Sequence, residues 1–140
     1  MIDAVVALLV VAATHAGFQL TVTVLVYPAL AATPPDDWAR AHDRHSRRIA
    51  PLVFLVYGGF VVTGVWAVAS EPLSTPLAAT LVQAAATVLL TGALAAPLHG
   101  RLGVEASRPE LLRRLLRVDR ARAVLAVVTL LTAAAAALTR

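Results

Sequence analysis

Four long apolar stretches constrain this chain more than any other feature. They cover about Ala4–Ala32, Ile49–Ser70, Leu77–Leu98 and Ala121–Leu138. Each is close to the roughly 20 residues that a helix needs to cross a hydrocarbon layer of about 30 Å. They are apolar on every face, whereas a strand of a membrane barrel alternates and is about half as long. We therefore predict an all-α, four-helix transmembrane bundle that forms one domain over residues 1–140, in keeping with a mean hydropathy of +0.79.

The distribution of basic residues predicts the orientation of the bundle. The chain opens with Met1-Ile2-Asp3 and has no basic residue before its first apolar stretch, so that stretch is expected to stay as a helix. Cytoplasmic connections carry an excess of basic residues. The first and third connections are therefore predicted to face the cytoplasm of a bacterial cell, with both termini outside. They hold Arg40, Arg44, Arg47 and Arg48, and Arg101, Arg108, Arg113, Arg114, Arg117, Arg120 and Arg122.

Charge and cysteine content narrow the classes of partner. A formal charge of +4 and an isoelectric point near 11.0 would suggest nucleic acid in a soluble protein. Here topology and attraction to anionic lipid account for the charge, so no nucleic-acid partner is expected. The absence of cysteine excludes disulfides and thiolate metal sites. The expected partners are the lipid bilayer and a lipophilic small molecule, and a homo-oligomer stays open.

Two connections contain signals for helices that begin before the membrane. In "TPPDDW" the Pro34–Pro35 pair blocks an earlier start, and Asp36 or Asp37 is placed to cap the new helix. In "SRPE", Ser107 to Glu110, a capping-box pattern precedes the fourth stretch. Helices 2 and 4 are therefore predicted to extend into the cytoplasm.

Polar side chains are predicted to converge where these extensions meet the membrane. At 100° per residue, His42 and His45 share the inward face of helix 2 with Trp38. The third stretch ends in "APLHGRLG", which brings His99 and Arg101 to the same depth. On helix 4, Asp119 falls on a leucine stripe and therefore needs a buried partner, for which Arg122 is the nearest candidate. The predicted catalytic set is His42, His45, His99, Asp119 and Arg122.

Polar residues inside the apolar stretches are few. His15 is the one ionisable side chain near the membrane midplane, with Gln19 one turn away. A neutral imidazole bonded to Gln83 or to a threonine would hold helices together, and a functional role is equally open. None of the four apolar stretches contains an acidic residue, which disfavours a small proton-coupled transporter. The predicted cavity residues are His15, Gln19, Tyr27, Trp38 and Arg101.

The histidine cluster admits three interpretations. His42, His45 and His99 are a candidate metal site, because the first two have usable spacing and zinc accepts three imidazoles. As an acid–base site, a neutral histidine facing an apolar cavity would take a proton from a lipophilic phenol, while Arg122 or Arg101 stabilises the anion. As a structural cluster, the three rings would only bond to backbone and carboxylate. We favour a site without a metal or cofactor.

Four short motifs, "VYPAL", "WARAHDRHSRRI", "APLHGRL" and "RVDRARAV", resemble the anthrone-oxygenase-like family of four-helix membrane proteins. In that family the third span typically ends in Pro-x-Asn or Pro-x-His, matched here by Pro97–His99. The fourth opens with a polar residue followed by Arg, matched by Asp119 and Arg122. The resemblance implies cofactor-free oxygenation of a polyketide anthrone to a quinone. This sequence has His99 where many members have Asn.

These observations favour a membrane-embedded oxidoreductase that acts on a lipophilic aromatic or quinone-type substrate by histidine acid–base chemistry. Two other classes stay open, which are a small transporter subunit and a membrane partner without catalytic activity.

Overall fold

The computed structural model of the protein describes residues 3–103 and 108–139, and of Arg108 only the backbone. Four long helices account for nearly all of these residues, and no strand occurs among them. They are α1 (Ala4–Ala31), α2 (Trp38–Ser70), α3 (Thr75–Leu102) and α4 (Arg108–Leu138). All four are long and apolar enough to cross a membrane. The predicted all-α bundle of four transmembrane helices is confirmed.

The helix starts follow the predicted signals in part. The side chain of Asp3 accepts a hydrogen bond from the Val6 amide at 2.9 Å and so caps α1. Pro35–Asp37 forms one 3-10 turn ahead of α2, but Asp37 makes no side-chain cap bond at the N-cap position. Ser107, the expected cap of α4, lies outside the described residues. Helices 2 and 4 begin at Trp38 and Arg108, more than ten residues before their apolar stretches.

Two helices contain a wide π-type turn immediately before a proline. The turn Val22–Val26 lies within α1 and is followed by Tyr27 and Pro28. The turn Thr91–Ala95 lies within α3 and is followed by Ala96 and Pro97. A proline inside a helix lacks the amide proton and clashes with the carbonyl four residues before it. The wider turn relieves this clash and keeps the helix continuous.

The helices are arranged in the order α2–α1–α4–α3. Helix α1 packs against α2 and α4, and α3 packs against α4, whereas α2 and α3 make few contacts with each other. One side of the bundle is therefore open between α2 and α3.

The two ends of the bundle are packed differently. One end, which we call the closed end, is built largely from small residues. There Gly59 of α2 lies so near α1 that an added Cβ would be 3.3 Å from the Val11 methyls. We call the other end the histidine end, because it combines large buried residues with His42, His45 and His99. The closed-end core comprises Ala4, Val5, Leu8, Ala12, Tyr57, Phe60, Ala67, Leu77, Ala84, Ala133 and Ala136. The histidine-end core comprises Val22, Tyr27, Leu30, Trp38, Ala95, Leu102, Leu111 and Leu115.

Candidate functional site

A buried acid lies at the centre of the bundle. Asp119 is 1% exposed and accepts hydrogen bonds from Gln19 Nε2 at 2.7 Å and Thr23 Oγ1 at 2.6 Å. Arg122 NH1 lies 3.5 Å from the same carboxylate. The prediction that Asp119 turns inward and pairs with Arg122 is confirmed. Both carboxylate oxygens have donors, so the geometry fits a fixed negative charge.

Asp119 lies deeper in the bundle than its place in the sequence indicates. It is part of α4 and bonds to Gln19, which lies in the middle part of α1. The fourth apolar stretch begins two residues after Asp119, whereas the helix that contains this stretch begins at Arg108. The apolar stretches themselves therefore contain no acid, but a buried carboxylate lies directly beside the fourth one.

Arg122 links the acid to a tyrosine that sequence reasoning missed. Its NH2 group donates to the Tyr57 hydroxyl at 2.8 Å, and its Nε atom is buried without a hydrogen-bond partner in the described part of the chain. The guanidinium is 4% exposed. Burying such a charge is costly unless it is paired and hydrogen-bonded, and Asp119 and Tyr57 supply that pairing.

The Tyr57 hydroxyl, on α2, lies within hydrogen-bond distance of side chains from each of the three other helices. It also lies 3.3 Å from His15 Nε2 and 3.0 Å from Thr91 Oγ1. Because a guanidinium can only donate, the hydroxyl accepts from Arg122 and has one proton for either His15 or Thr91. The prediction that His15 bonds to Gln83 or to a threonine is wrong, because the Gln83 side chain instead accepts a hydrogen bond from Thr132 at 2.8 Å. His15 Nδ1 is buried and has no partner within the described residues.

The three remaining histidines form one cluster at the histidine end. The His42 and His99 ring centroids are 4.5 Å apart, and those of His45 and His99 are 5.3 Å apart. His42 Nε2 lies 3.1 Å from the His99 carbonyl oxygen, and Ser46 Oγ lies 3.0 Å from His99 Nε2. Trp38 stacks on His42 at 5.5 Å. The sequence prediction that these histidines meet is confirmed.

The cluster joins α2 to α3 at a place where the two helices otherwise stand apart. Trp38 Nε1 donates to the Leu102 carbonyl at 3.0 Å, beside the contact of His42 with His99. These bonds connect α2 and α3 at the histidine end of the bundle. Two imidazole nitrogens nevertheless stay buried without a partner in the described structure, and they are Nε2 of His45 and Nδ1 of His99.

The metal interpretation finds no support in this arrangement. Among residues 3–103 and 108–139, no three histidine, aspartate or glutamate side chains form a group suited to hold a metal ion. One ring nitrogen of His42 and one of His99 already have partners at hydrogen-bond distance. A zinc site would instead need three nitrogens directed at one point about 2.0–2.1 Å away.

A cavity of about 290 Å³ separates the histidines from the buried arginine. Its polar wall contains Tyr27, His45, Ser46, Thr91, His99 and Arg122. The other lining residues are apolar, and they are Phe18, Val22, Ile49, Ala50, Val53, Phe54, Ala95 and Ala96. Phe54 is 78% exposed, and the cavity lies on the side where α2 and α3 separate. We call this space the lateral cavity, because it faces the surface that a lipid bilayer would cover.

The predicted site residues fall into three groups. His45, His99, Arg122 and Tyr27 line the lateral cavity. Five predicted residues do not line the cavity but lie one or two contacts away from a residue that lines it. They are His42, Trp38, Asp119, Gln19 and His15. Arg101 is exposed and lines a different groove, together with Arg114 and Arg117.

Sequence reasoning missed Tyr57, Ser46, Thr23 and Thr91. Only Tyr57 carried a usable signal, because a tyrosine within an apolar span needs a hydrogen-bond partner for its hydroxyl. The other three were indistinguishable from the many threonines and serines that bond to their own helix backbone. Thr91 makes such a bond to the Thr87 carbonyl at 2.8 Å as well.

The comparisons with known proteins add no relative. No family model, no curated protein and no solved structure matches this chain. Its function is therefore argued from the residues of the site.

Proposed function

We propose that the protein is a membrane-embedded oxidoreductase that oxygenates a lipophilic aromatic substrate in the lateral cavity. The observation that carries the proposal is the wall of that cavity, where two imidazoles with unpartnered nitrogens, on His45 and His99, share one apolar space with the guanidinium of Arg122. A neutral imidazole supplies a base and a guanidinium stabilises an oxyanion. The likeness of the four short motifs to the anthrone-oxygenase-like family supports the same reaction.

The proposed substrate class is an anthrone-type phenol, and the oxidant is dioxygen. His45 or His99 removes a proton from the methylene carbon, and the negative charge spreads to the carbonyl oxygen of the substrate, beside Arg122. The carbanion and dioxygen then form a carbon–oxygen bond, and the imidazolium returns its proton to the resulting peroxide. Loss of the second methylene proton breaks the O–O bond. One oxygen atom becomes the new carbonyl, and the other leaves as water with the two hydrogens.

The position and size of the cavity suit this substrate class. A volume of about 290 Å³ lies just below the usual range of small-molecule sites, which is about 300 to 1,000 Å³, and so suits a small ligand. The apolar walls match aromatic rings, and the side between α2 and α3 gives access from the bilayer. His42 and Asp119 take positioning roles in this scheme, because His42 packs on His99 and Asp119 pairs with Arg122.

The direct test is turnover by the purified protein in detergent, with a panel of anthrones under oxygen. We expect quinone formation with matching uptake of dioxygen. Alanine in place of the histidine that acts as the base, tested as His45→Ala and His99→Ala, should lower the rate by about 10²–10⁴-fold, which is typical for loss of a general base. Ser70→Ala is a control, because Ser70 lies at the far end of α2 and its hydroxyl donates to the Trp66 carbonyl. A folded wild-type protein that forms no quinone from any anthrone would contradict the proposal.

A small transporter subunit is a second candidate, and the buried carboxylate of Asp119 is the observation in its favour. Proton-coupled transport needs an acid that exchanges protons with water. Asp119 is 1% exposed and has three donors around it, which favours a fixed charge instead. Uptake of lipophilic cations into proteoliposomes with an imposed pH gradient separates the two candidates. Gradient-driven uptake that Asp119→Asn abolishes would favour the transporter.

We also propose that the histidine end faces the cytoplasm of a bacterial cell, with both termini outside. The proposal depends on the arginines of the first and third connections and on their absence from the second, Glu71 to Ser74. The chain has no cysteine, so single cysteines report without background. Ser74→Cys should react with a membrane-impermeant maleimide on intact cells, and Ala39→Cys only after permeabilisation. The reverse pattern would overturn the orientation.

A further inference from the structure

A second concave surface, adjacent to the lateral cavity, lies between α1 and α2 at the histidine end. It is a groove of about 420 Å³ that carries two arginines, Arg44 and Arg48, one helical turn apart. We call it the arginine groove. Its remaining lining residues are Phe18, Thr21, Val22, Val26, Ala41, His45, Ile49 and Leu52.

The two arginines of the groove differ from Arg47 and Arg114, which have acidic partners. Arg47, on the same helix, pairs with Asp43, and Arg114 pairs with Glu110. Neither Arg44 nor Arg48 forms an ion pair with any described residue. Both are exposed, so they remain hydrated at the edge of the apolar surface. Two neighbouring guanidiniums with free donors match the oxygens of a phosphate group.

The rest of the groove is suited to a hydrocarbon chain. Apart from the arginines, Thr21 and His45, the side chains that line the groove are apolar. Leu52, one helical turn after Arg48, is 51% exposed. The groove therefore passes from a doubly charged edge to an apolar floor along the direction of the helices. A headgroup and an acyl chain of one lipid molecule have the same order of charge and apolar surface.

We propose that the arginine groove binds an anionic phospholipid, with its phosphate held by Arg44 and Arg48 and one acyl chain lying between α1 and α2. Charge complementarity favours this occupant, because a zwitterionic lipid would also bring its own cationic headgroup close to the two arginines. The bound lipid also covers the outer side of Phe18, Val22, His45 and Ile49, the four residues that the groove shares with the lateral cavity. Lipid binding at this place does not require the proposed oxygenation.

Native mass spectrometry of the full chain tests the proposal. The protein is released from detergent that contains equal amounts of phosphatidylglycerol and phosphatidylcholine. We expect one retained phosphatidylglycerol, and about tenfold weaker retention in the double variant Arg44→Gln/Arg48→Gln, since basic residues near a membrane each contribute to the attraction of anionic lipid. The double variant Arg40→Gln/Arg120→Gln removes the same charge from exposed positions outside the groove. It should change retention by less than about twofold.

A steric variant addresses the acyl chain independently of charge. Thr21 is exposed on the groove wall, so Thr21→Phe should fold and should displace the lipid although both arginines are present. Equal losses in the two arginine double variants would show diffuse charge attraction and overturn the proposal. Equal retention of the two lipids by the wild type would overturn it too, and so would complete displacement by glycerol phosphate, which would identify a soluble phosphate site. None of these readouts requires turnover, so failure of the lipid proposal is distinguishable from failure of the proposed oxidoreductase.

Discussion

The closed end and the histidine end use the same four helices but pack them by different means. At the closed end, small residues such as Ala12, Ala67 and Gly59 let the backbones approach, and little space is left between α1 and α2. At the histidine end, the helix contacts are made by larger side chains, and both the lateral cavity and the arginine groove lie there. Side-chain size thus distinguishes the close contact of α1 with α2 at the closed end from the polar-lined spaces at the histidine end. The network around Asp119, Arg122 and Tyr57 joins the two ends.

The largest expected effect comes from breaking that junction. Asp119→Ala removes the charge that Arg122 faces and two hydrogen-bond acceptors, so it should lower the free energy of unfolding by about 3–5 kcal/mol. Asp119→Asn retains one acceptor oxygen and should cost less. Thermal unfolding in detergent micelles measures both. Wild-type melting of Asp119→Ala would mean that the carboxylate is not buried between α1 and α4.

Removing one oxygen atom at the same junction is a milder change. Tyr57→Phe keeps the ring in the closed-end core but takes the acceptor from Arg122 and the partner from His15. We expect a loss of about 2–3 kcal/mol, because hydrogen bonds to charged groups are worth about 1.5–3 kcal/mol. Unfolding by a graded denaturing detergent gives the value. An unchanged midpoint would show that the hydroxyl contributes nothing to joining the two ends.

The same substitution placed at each end compares their packing directly. Ala12 of α1 is fully buried at the closed end, so Ala12→Leu should cost about 1–3 kcal/mol through overpacking. Ala50 lines the lateral cavity, where a larger side chain finds room, and Ala50→Leu should change stability by less than about 1 kcal/mol. Paired unfolding curves provide the comparison. Equal costs at the two positions would contradict the difference in packing between the two ends.

The smallest expected effect separates two adjacent glycines of α2. An added Cβ at Gly59 meets two Val11 methyls at 3.3 Å, whereas one at Gly58 meets nothing within 4 Å. Alanine is favoured over glycine in a helix by up to about 1 kcal/mol. Gly58→Ala should therefore be neutral or slightly stabilising, and Gly59→Ala should melt at a lower temperature than Gly58→Ala. The opposite order in calorimetry would place the close approach of α1 and α2 elsewhere.

Much of the fold followed from local sequence signals. The apolar stretches predicted four spanning helices, and the proline pair at Pro34–Pro35 located the start of the second. The meeting of His42, His45 and His99 also followed, because helical periodicity places two of them on one face and the end of the third span supplies the other. These predictions need only the geometry of single helices and their order along the chain.

Other features depend on which helices pack against each other, and no local sequence pattern predicts this pairing. The partners of Asp119 come from α1, and the partner of His15 comes from α2. The order α2–α1–α4–α3 decides that Arg122 faces His45 across a cavity, while His42 and Trp38 close the gap between α2 and α3. The roles predicted for the histidines in catalysis stay predictions until turnover is measured.

The wide turns at Val22–Val26 and Thr91–Ala95 have a consequence for how the site is specified. A π-type turn holds one residue more than the helical turns around it, so it acts as a single-residue insertion. Each residue added to a helix rotates everything beyond it by about 100°. Deleting one residue from Thr91–Ala95 would therefore carry His99 away from the cavity wall with no histidine altered, and a deletion in Val22–Val26 would do the same to Tyr27. In these two helices, residue count as well as residue identity determines which side chains a ligand meets.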